Sequence, residues 1–573
     1  MDIIFQTILN DADCILIPVF SNKDPLAFFE YLGRSMPWIK NTPTLRDFKG
    51  KKDATALAYL PEDAYEVLNS LKNEDGQKLH HPQFDVELFM DGLVQNVEKV
   101  QENDSASAHD DRANGYESSP RRVLFCGMGK IEDFKADVLR DAVASGLKIC
   151  AELKLKRLLL SVESIAAILH VCSGKKNQLS FAGLIEESVL GALLSLYSRE
   201  LYKSNSGNAD DNPHFIPDSL TLLCLDEAME EQVISAAQKA QAIATGITLA
   251  RNLINGPANI VTPSYLEIRA QNLSRRYHFT CTSLGPDYLR KERLGAFLAV
   301  TKGSEEEPRL LILEHKPDKA KNKDKPIIII GKGITFDSGG ICLKPSAGMH
   351  EMTSDMAGAG TVLGLFAALG EASLAPSTKK LTQLHIVGIM PCAENMPDGK
   401  ASHPGDIVTT LAGKTVEITN TDAEGRLLLC DCLTLAQTRW TPSSIIDMAT
   451  LTGACVVALG EKTTGLFGNN EELRDKLMQL SAKNSERFWP MPIYDEDLEI
   501  LKSNTADLNN VGPREGGALF AALFLKQFVD KNIPWAHLDI AGPAFTDKKS
   551  PVCPGGASGV ALRTLFEYII SQA

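Results

Sequence analysis

Residues 326–340 read PIIIIGKGITFDSGG. An unbroken apolar run passes straight into a polar, glycine-rich stretch. Four isoleucines in succession cannot place alternate side chains in water, so the run reads as a strand buried on both faces, the habit of a parallel or mostly parallel sheet. Three further runs behave the same way: 384–390 (LHIVGIM), 445–448 (IIDM) and 535–540 (WAHLDI), separated by helix-like stretches. Polar residues follow each one. In open α/β sheets ligands collect beyond the carboxyl ends of strands. The stretches to inspect are therefore GKGITFDSGG, PCAEN, ATLTGA and AGPA.

The rest of the chain sets the frame. With 573 residues it is too long for one ordinary domain. A hydrophobic content of 44% and a charged content of 23% are those of a globular protein. The net charge of −14 speaks against a nucleic-acid or anionic-membrane partner, since both need a positive face. The first residues, MDIIFQTILNDADCILIPVF, lack a basic start and read as strand material rather than a signal peptide. No run of about 18 apolar residues predicts a membrane span. Twelve cysteines, with no CxxC, read as thiols of a reducing compartment, so a cytoplasmic location is expected.

Along residues 1–226, short β-rich runs (14–20, 122–126, 220–225) alternate with helical patterns such as 135–147, which predicts an N-terminal α/β domain. Residues 101–120 are polar and nearly free of apolar side chains, the composition of an exposed insertion; 203–213 is a shorter stretch of that kind. Residues 226–253 form one continuous helical pattern, acidic at its start and with Arg251 near its end, which suits the helix dipole. It stops at Asn255-Gly256-Pro257. The expected division is an N-terminal domain (1–226), a connecting helix (227–254) and a catalytic domain (255–573).

The residues able to do chemistry are charged groups near those strand ends. HExxH, GxSxG, GxxxxGK[ST] and a strand-following GxGxxG are all absent. What remains is Lys332 and Asp337, then Lys344 and Asp355, then Asp422, Glu424 and Arg426 within NTDAEGR. Taken singly, each has a plainer reading. Asp355 could cap a helix, Asp337 could sit in a turn, and the lysines could be solvated. Taken together, four carboxylates meeting at one buried point would repel by several kcal/mol, and divalent cations resolve that repulsion. If the chain stays extended beyond 414–419, Asn420, Asp422, Glu424 and Arg426 share one parity and face one side. Gly425 would let the backbone pass close to a ligand. The histidines, among them His350, His385, His403 and His537, read as structural.

The same residues carry a resemblance. NTDAEGRL (420–427), GKGITFDSGG (331–340) with Lys344 and Asp355 beyond it, ARNLINGPANIVTP (250–263), DMATLTGA (447–454) and HLDIAGPA (537–544) are similar to the motifs of the leucyl aminopeptidases, the dinuclear cytosol aminopeptidase family. The resemblance covers roughly residues 245–573 and implies a macro-like N-terminal α/β domain ahead of the catalytic one. It implies an aminopeptidase that releases N-terminal residues, Leu-like and other apolar ones, in peptide catabolism. Lys332, Asp337, Asp355 and Glu424 would hold one metal ion, and Asp337, Asp422 and Glu424 a second, exchangeable one (Zn or Mn, with Mg or Co as alternatives). Lys344 would polarise the scissile carbonyl, and Arg426 would hold a bicarbonate that acts as general base. Met352, Asn420, Ala423, Thr450, Leu451, Gly453 and Ala541 resemble the family's side-chain pocket, with Ala544 where some relatives carry methionine. A homohexamer, a dimer of trimers acting on peptides in an internal cavity, is the implied assembly.

Overall fold

A computed structural model describes residues 1–6, 13–19, 55–59, 122–128, 131–172, 180–203, 215–224, 226–318, 320–322, 325–378 and 383–573. The expected insertion at 101–120 lies outside the described residues, as does most of 203–213. The chain divides into two compact units: 1–241 with 550–554, and 242–549 with 555–573.

In the first unit the described strands are β1 (Asp2–Gln6), β2 (Cys14–Val19), β3 (Thr55–Tyr59), β4 (Arg122–Gly127), β5 (Arg157–Ser161) and β6 (Ser219–Leu223). They form one sheet in the order β1-β6-β5-β2-β4-β3, parallel except where β3 runs against β4. Among the described residues, helices α1 (Ala136–Glu152), α2 (Val162–Cys172) and α3 (Phe181–Ser195) belong to this α/β unit.

Helix α4 (Glu230–Ile254) is a single element, and the compact units divide within it, after Gln241. Glu230 and Glu231 lie in its first turn and Arg251 in its last, each at the dipole end that favours its charge.

The second unit is built on nine described strands. They are β7 (Thr280–Leu284), β8 (Arg309–His315), β9 (Ile327–Gly331), β10 (Gly333–Asp337), β11 (Ile386–Asn395), β14 (Ser444–Ala449), β15 (Thr463–Gly468), β16 (Arg487–Pro490) and β18 (Trp535–Asp539). Two short strands, β12 (Asp406–Thr409) and β13 (Thr415–Ile418), pair with each other and β13 pairs with β17 (Leu508–Asn509) in a separate small sheet. The main order is β16-β15-β18-β14-β9-β11-β8-β7, with β10 beside β11. The centre, β18-β14-β9-β11, is parallel throughout, and every residue of β9, β14 and β18 is buried. These are the runs whose apolar sequence does not alternate. The flanks reverse direction: β8 is antiparallel to β11 and to β7, and β15 is antiparallel to β18.

Helix α5 (Ala357–Leu374) covers the sheet with a near-continuous small and apolar surface. The stretch Met349–Leu374 is long and apolar enough by composition to cross a membrane, but 83% of its apolar window is buried inside the protein. Its composition reflects packing on all sides. Gly358 lets it approach the strand ends: a Cβ there would lie 2.5 Å from Met448 O and 2.6 Å from Lys332 N. The backbone of Lys332 is pinned in that contact, donating to Met448 O at 3.0 Å and accepting from Ala359 N at 2.8 Å. Gly358→Ala is expected to lower the unfolding free energy by about 1–3 kcal/mol through overpacking, visible as a reduced urea midpoint with an unchanged slope.

Candidate active site

The charged groups singled out above meet at the carboxyl ends of the central strands. Lys332 follows β9, Asp337 ends β10, Asp355 closes a 3₁₀ turn (Met349–Met356) before α5, and Glu424 precedes α6 (Gly425–Arg439). One carboxylate oxygen from each of Asp337, Asp355 and Glu424 lies within 4.8 Å of the others. The three residues are 2%, 6% and 3% exposed, and Lys332 is 2% exposed.

Lysines interleave with these acids. Lys332 Nζ lies 2.7 Å from Asp355 Oδ2, 2.7 Å from Glu424 Oε1 and 3.1 Å from Thr450 O. Lys344 Nζ lies 2.8 Å from Asp337 Oδ2 and also contacts Asp422 Oδ1. Burial pushes the Lys332 ammonium toward losing its proton, but Asp355, Glu424 and Asp337 together outweigh burial and raise its pKa. Burial raises the Asp355 carboxyl, and it raises Glu424 together with the charge on Asp337. Four acidic groups meet two lysines, so carboxyl groups outnumber amines in the cluster. Hard carboxylate oxygens gathered this closely and kept from water are a donor set that suits divalent cations.

Gly425 explains how the helix reaches the cluster: a Cβ there would lie 2.7 Å from Lys332 Cε and 2.9 Å from its Nζ. Asp355 and Glu424 do not cap the helices that follow them. Neither N-cap position carries a side-chain cap bond, and the Asp355 carboxylate instead accepts from Thr450 Oγ1 at 2.6 Å.

The extended reading of Asn420 to Arg426 is corrected. The chain turns at Thr421–Asp422, and Glu424 is already helical at φ −78°, ψ −36°. Asn420 Oδ1 accepts from Asp422 N at 2.9 Å, a local turn contact that ends the strand geometry. Strand parity therefore does not bring these residues together; the turn and the helix start do. Arg426 is 6% exposed, and its Nη1 donates to Asn510 O at 2.8 Å. Its Nε has no hydrogen-bond partner among the described residues. Burial lowers its pKa to about 10, which leaves it charged at neutral pH.

Three supporting residues were not singled out in the sequence. Asn395, the last residue of β11, donates through Nδ2 to Asp337 Oδ1 at 2.8 Å and to Thr421 O at 3.0 Å, tying two strand ends together. Asn510 braces the 419–423 backbone. Asp539, at the end of β18, accepts from Thr452 Oγ1 at 2.7 Å and from Leu451 N at 3.2 Å, shaping the 450–453 loop. Asn395 and Asp539 border strand-end stretches that the sequence did point to. Nothing in the sequence around Asn510 marks it.

The pocket candidates are dispersed in role. Met352, Asn420, Leu451 and Ala541 are half-buried, Gly453 is exposed, and Ala423 and Ala544 are buried. The Thr450 hydroxyl is committed to Asp355. Among the histidines, His537 Nδ1 lies 2.6 Å from Asp447 and His385 Nε2 lies 2.6 Å from Glu314, which fits their structural reading.

A mostly parallel sheet that gathers buried carboxylates and lysines at its strand ends defines an α/β enzyme with a metal-type centre. Residues 248–566 match the profile described as the cytosol aminopeptidase family, catalytic domain, and residues 112–206 match that family's N-terminal domain. A probable cytosol aminopeptidase of Nitratidesulfovibrio vulgaris is 43% identical over 97% of this chain and 96% of its own. One from Desulfovibrio desulfuricans is 37% identical over 99% of each. Among solved structures, the bottromycin maturation enzyme BotP in complex with Mn is 28% identical, with a TM-score of 0.72 over 98% of this chain and 100% of that one. A lysine-to-glutamate mutant of tomato leucine aminopeptidase is 27% identical, with a TM-score of 0.73 over 100% of this chain and 96% of that one. The chain belongs to the cytosol aminopeptidase family, and it is a hydrolase, a metal-dependent aminopeptidase.

Because Asn395 holds Asp337 by hydrogen bond, Asn395→Ala is expected to weaken divalent-metal binding about 10- to 100-fold. Competition titration of Mn against a chelating dye measures it.

Proposed function

We propose that the protein removes single N-terminal residues, Leu-like and other apolar ones, from peptides, and that Lys332, Asp337, Asp355, Asp422 and Glu424 hold two divalent ions for that reaction. The convergence of three buried carboxylates with two lysines carries this reading. Lys332, Asp337, Asp355 and Glu424 would hold the tighter ion. Asp337, Glu424 and Asp422, the last through side chain and carbonyl, would hold the exchangeable one. Zn and Mn suit these donors, and Mg and Co are alternatives. When bound, such a pair supplies Lewis-acid activation of a water and of the scissile carbonyl.

The protein's own residues do the rest. Lys332 must give up its proton to act as a ligand, so ion binding and its deprotonation are linked. Lys344, at the more open side of the cluster, keeps its proton beside Asp337 and Asp422 and presents an ammonium to charge developing on the carbonyl oxygen. Arg426 keeps an Nε without a partner among the described residues, toward which an anion such as bicarbonate can be held as proton acceptor. Met352, Asn420, Ala423, Thr450, Leu451, Gly453 and Ala541 would border the substrate's first side chain. Ala541 and Ala544 offer little bulk, which suits a pocket that accepts more than leucine. A homohexamer acting on peptides in the cytoplasm, with neither nucleic acid nor membrane as partner, completes the reading.

Hydrolysis of leucine amide with and without added Mn tests it. Activity is expected to need metal and an unblocked amino terminus. Glu424→Ala should lower kcat by about 10³-fold or more, the scale of losing a group that acts in the transition state. Metal-independent turnover, or an active Glu424→Ala enzyme, contradicts the proposal.

A further inference from the structure

Asn510 lies just past β17, far from NTDAEGR in sequence, and is fully buried. Its side-chain hydrogen bonds all run to the segment that carries the site. Oδ1 accepts from Thr419 N at 2.9 Å, Thr419 Oγ1 at 3.3 Å and Asn420 N at 3.3 Å. Nδ2 donates to Asn420 O at 2.7 Å and to Ala423 O at 3.4 Å. Its backbone N donates to Glu417 O at 3.0 Å, and its carbonyl accepts from Arg426 Nη1 at 2.8 Å. One residue thus fixes the end of β13, the turn that carries Asp422 and the guanidinium that follows.

We infer that Asn510 is a positioning residue for the aminopeptidase reaction: its carboxamide locks the 419–423 turn, and its carbonyl aims Arg426. The inference rests on the reading of Arg426 as the anion-holding group. Geometry separates Asn510 from Asn395. The side chain of Asn395 touches Asp337, one of the clustered carboxylates, whereas Asn510 touches none of Asp337, Asp355 and Glu424. Buried carbonyls and amides left without partners are costly, so the carboxamide has no cheap substitute. An aspartate has the same shape and keeps the acceptor for Thr419 N and Asn420 N, but it sets an oxygen against Asn420 O and Ala423 O. The Asn510 carbonyl survives any side-chain change, so a variant alters the aim of Arg426 through the turn rather than by deleting its partner.

The test uses the full chain loaded with Mn and compares Asn510→Ala, Asn510→Asp and Arg426→Ala. The readouts are kcat and KM on leucine amide across a bicarbonate titration in carbonate-free buffer, bound Mn per chain, and the thermal midpoint. For both Asn510 variants kcat is expected to fall about 10- to 100-fold with KM nearly unchanged. Half-saturation by bicarbonate should shift to higher concentration, and bound Mn should match the wild type. Wild-type kcat together with a wild-type bicarbonate response in a folded Asn510 variant overturns the inference. So does a loss of activity that merely follows a loss of Mn, since that would make Asn510 a support of the metal cluster. Should Asn510→Ala fail to fold, the isosteric Asn510→Asp carries the comparison. Arg426→Ala distinguishes the two readings. If it keeps the bicarbonate response while the Asn510 variants lose kcat with Mn intact, the anion role of Arg426 fails and the positioning of the turn stands.

Discussion

Like charges cannot share a buried point without compensation. Two carboxylates about 4 Å apart repel by about 4 kcal/mol even at an effective dielectric of about 20. This protein brings one carboxylate oxygen from each of Asp337, Asp355 and Glu424 within 4.8 Å of the others and threads Lys332 between two of them. A cation, an ammonium or a proton on one of the carboxylates relieves that repulsion. It ties the sheet, the helix starts and the chemistry to one electrostatic requirement.

The fold meets the requirement from several directions at once. β9 and β10 follow one another along β11, so Lys332 stands at the step between them and Asp337 at the end of the second. Gly358 and Gly425 remove the Cβ atoms that would hold two helix starts away from Lys332. Thr450 and Asn395 then use hydrogen bonds to hold Asp355 and Asp337 where the lysines meet them. Arg426, two residues beyond Glu424, is buried, with Nη1 bonded to Asn510 O and Nε without a hydrogen-bond partner among the described residues. Asp422, Glu424 and Arg426 lie on one turn and one helix start, where the charge of NTDAEGR is concentrated.

Much of this was legible in the sequence because it depends on residue type and local pattern. Uninterrupted apolar runs predicted β9, β11, β14 and β18, since a strand covered on both faces has no reason to alternate. The flanking strands β7, β8, β15 and β16 were not read: β7 and β16 are edge strands with weaker patterns, whereas β8 and β15 lie inside the sheet with buried centres. The charged set was visible as a set, although no member stood out alone. The manner of its convergence was not visible: parity along an extended chain was the wrong device, because Asn420 turns the backbone through a side-chain contact that the sequence does not announce. Asn510 was beyond reach for a plainer reason. Its partners lie some ninety positions away, and an asparagine in a loop looks alike whether it is solvated or braces a site.

Two cations would take the place where lysines and carboxylates now meet. Anomalous diffraction from crystals grown with Mn measures that directly. Two peaks are predicted, one bounded by Lys332, Asp355 and Glu424 and one on the Asp422 side, both in contact with Asp337 and Glu424. Lys332 still paired with Asp355 and Glu424, with no anomalous density between them, would contradict it.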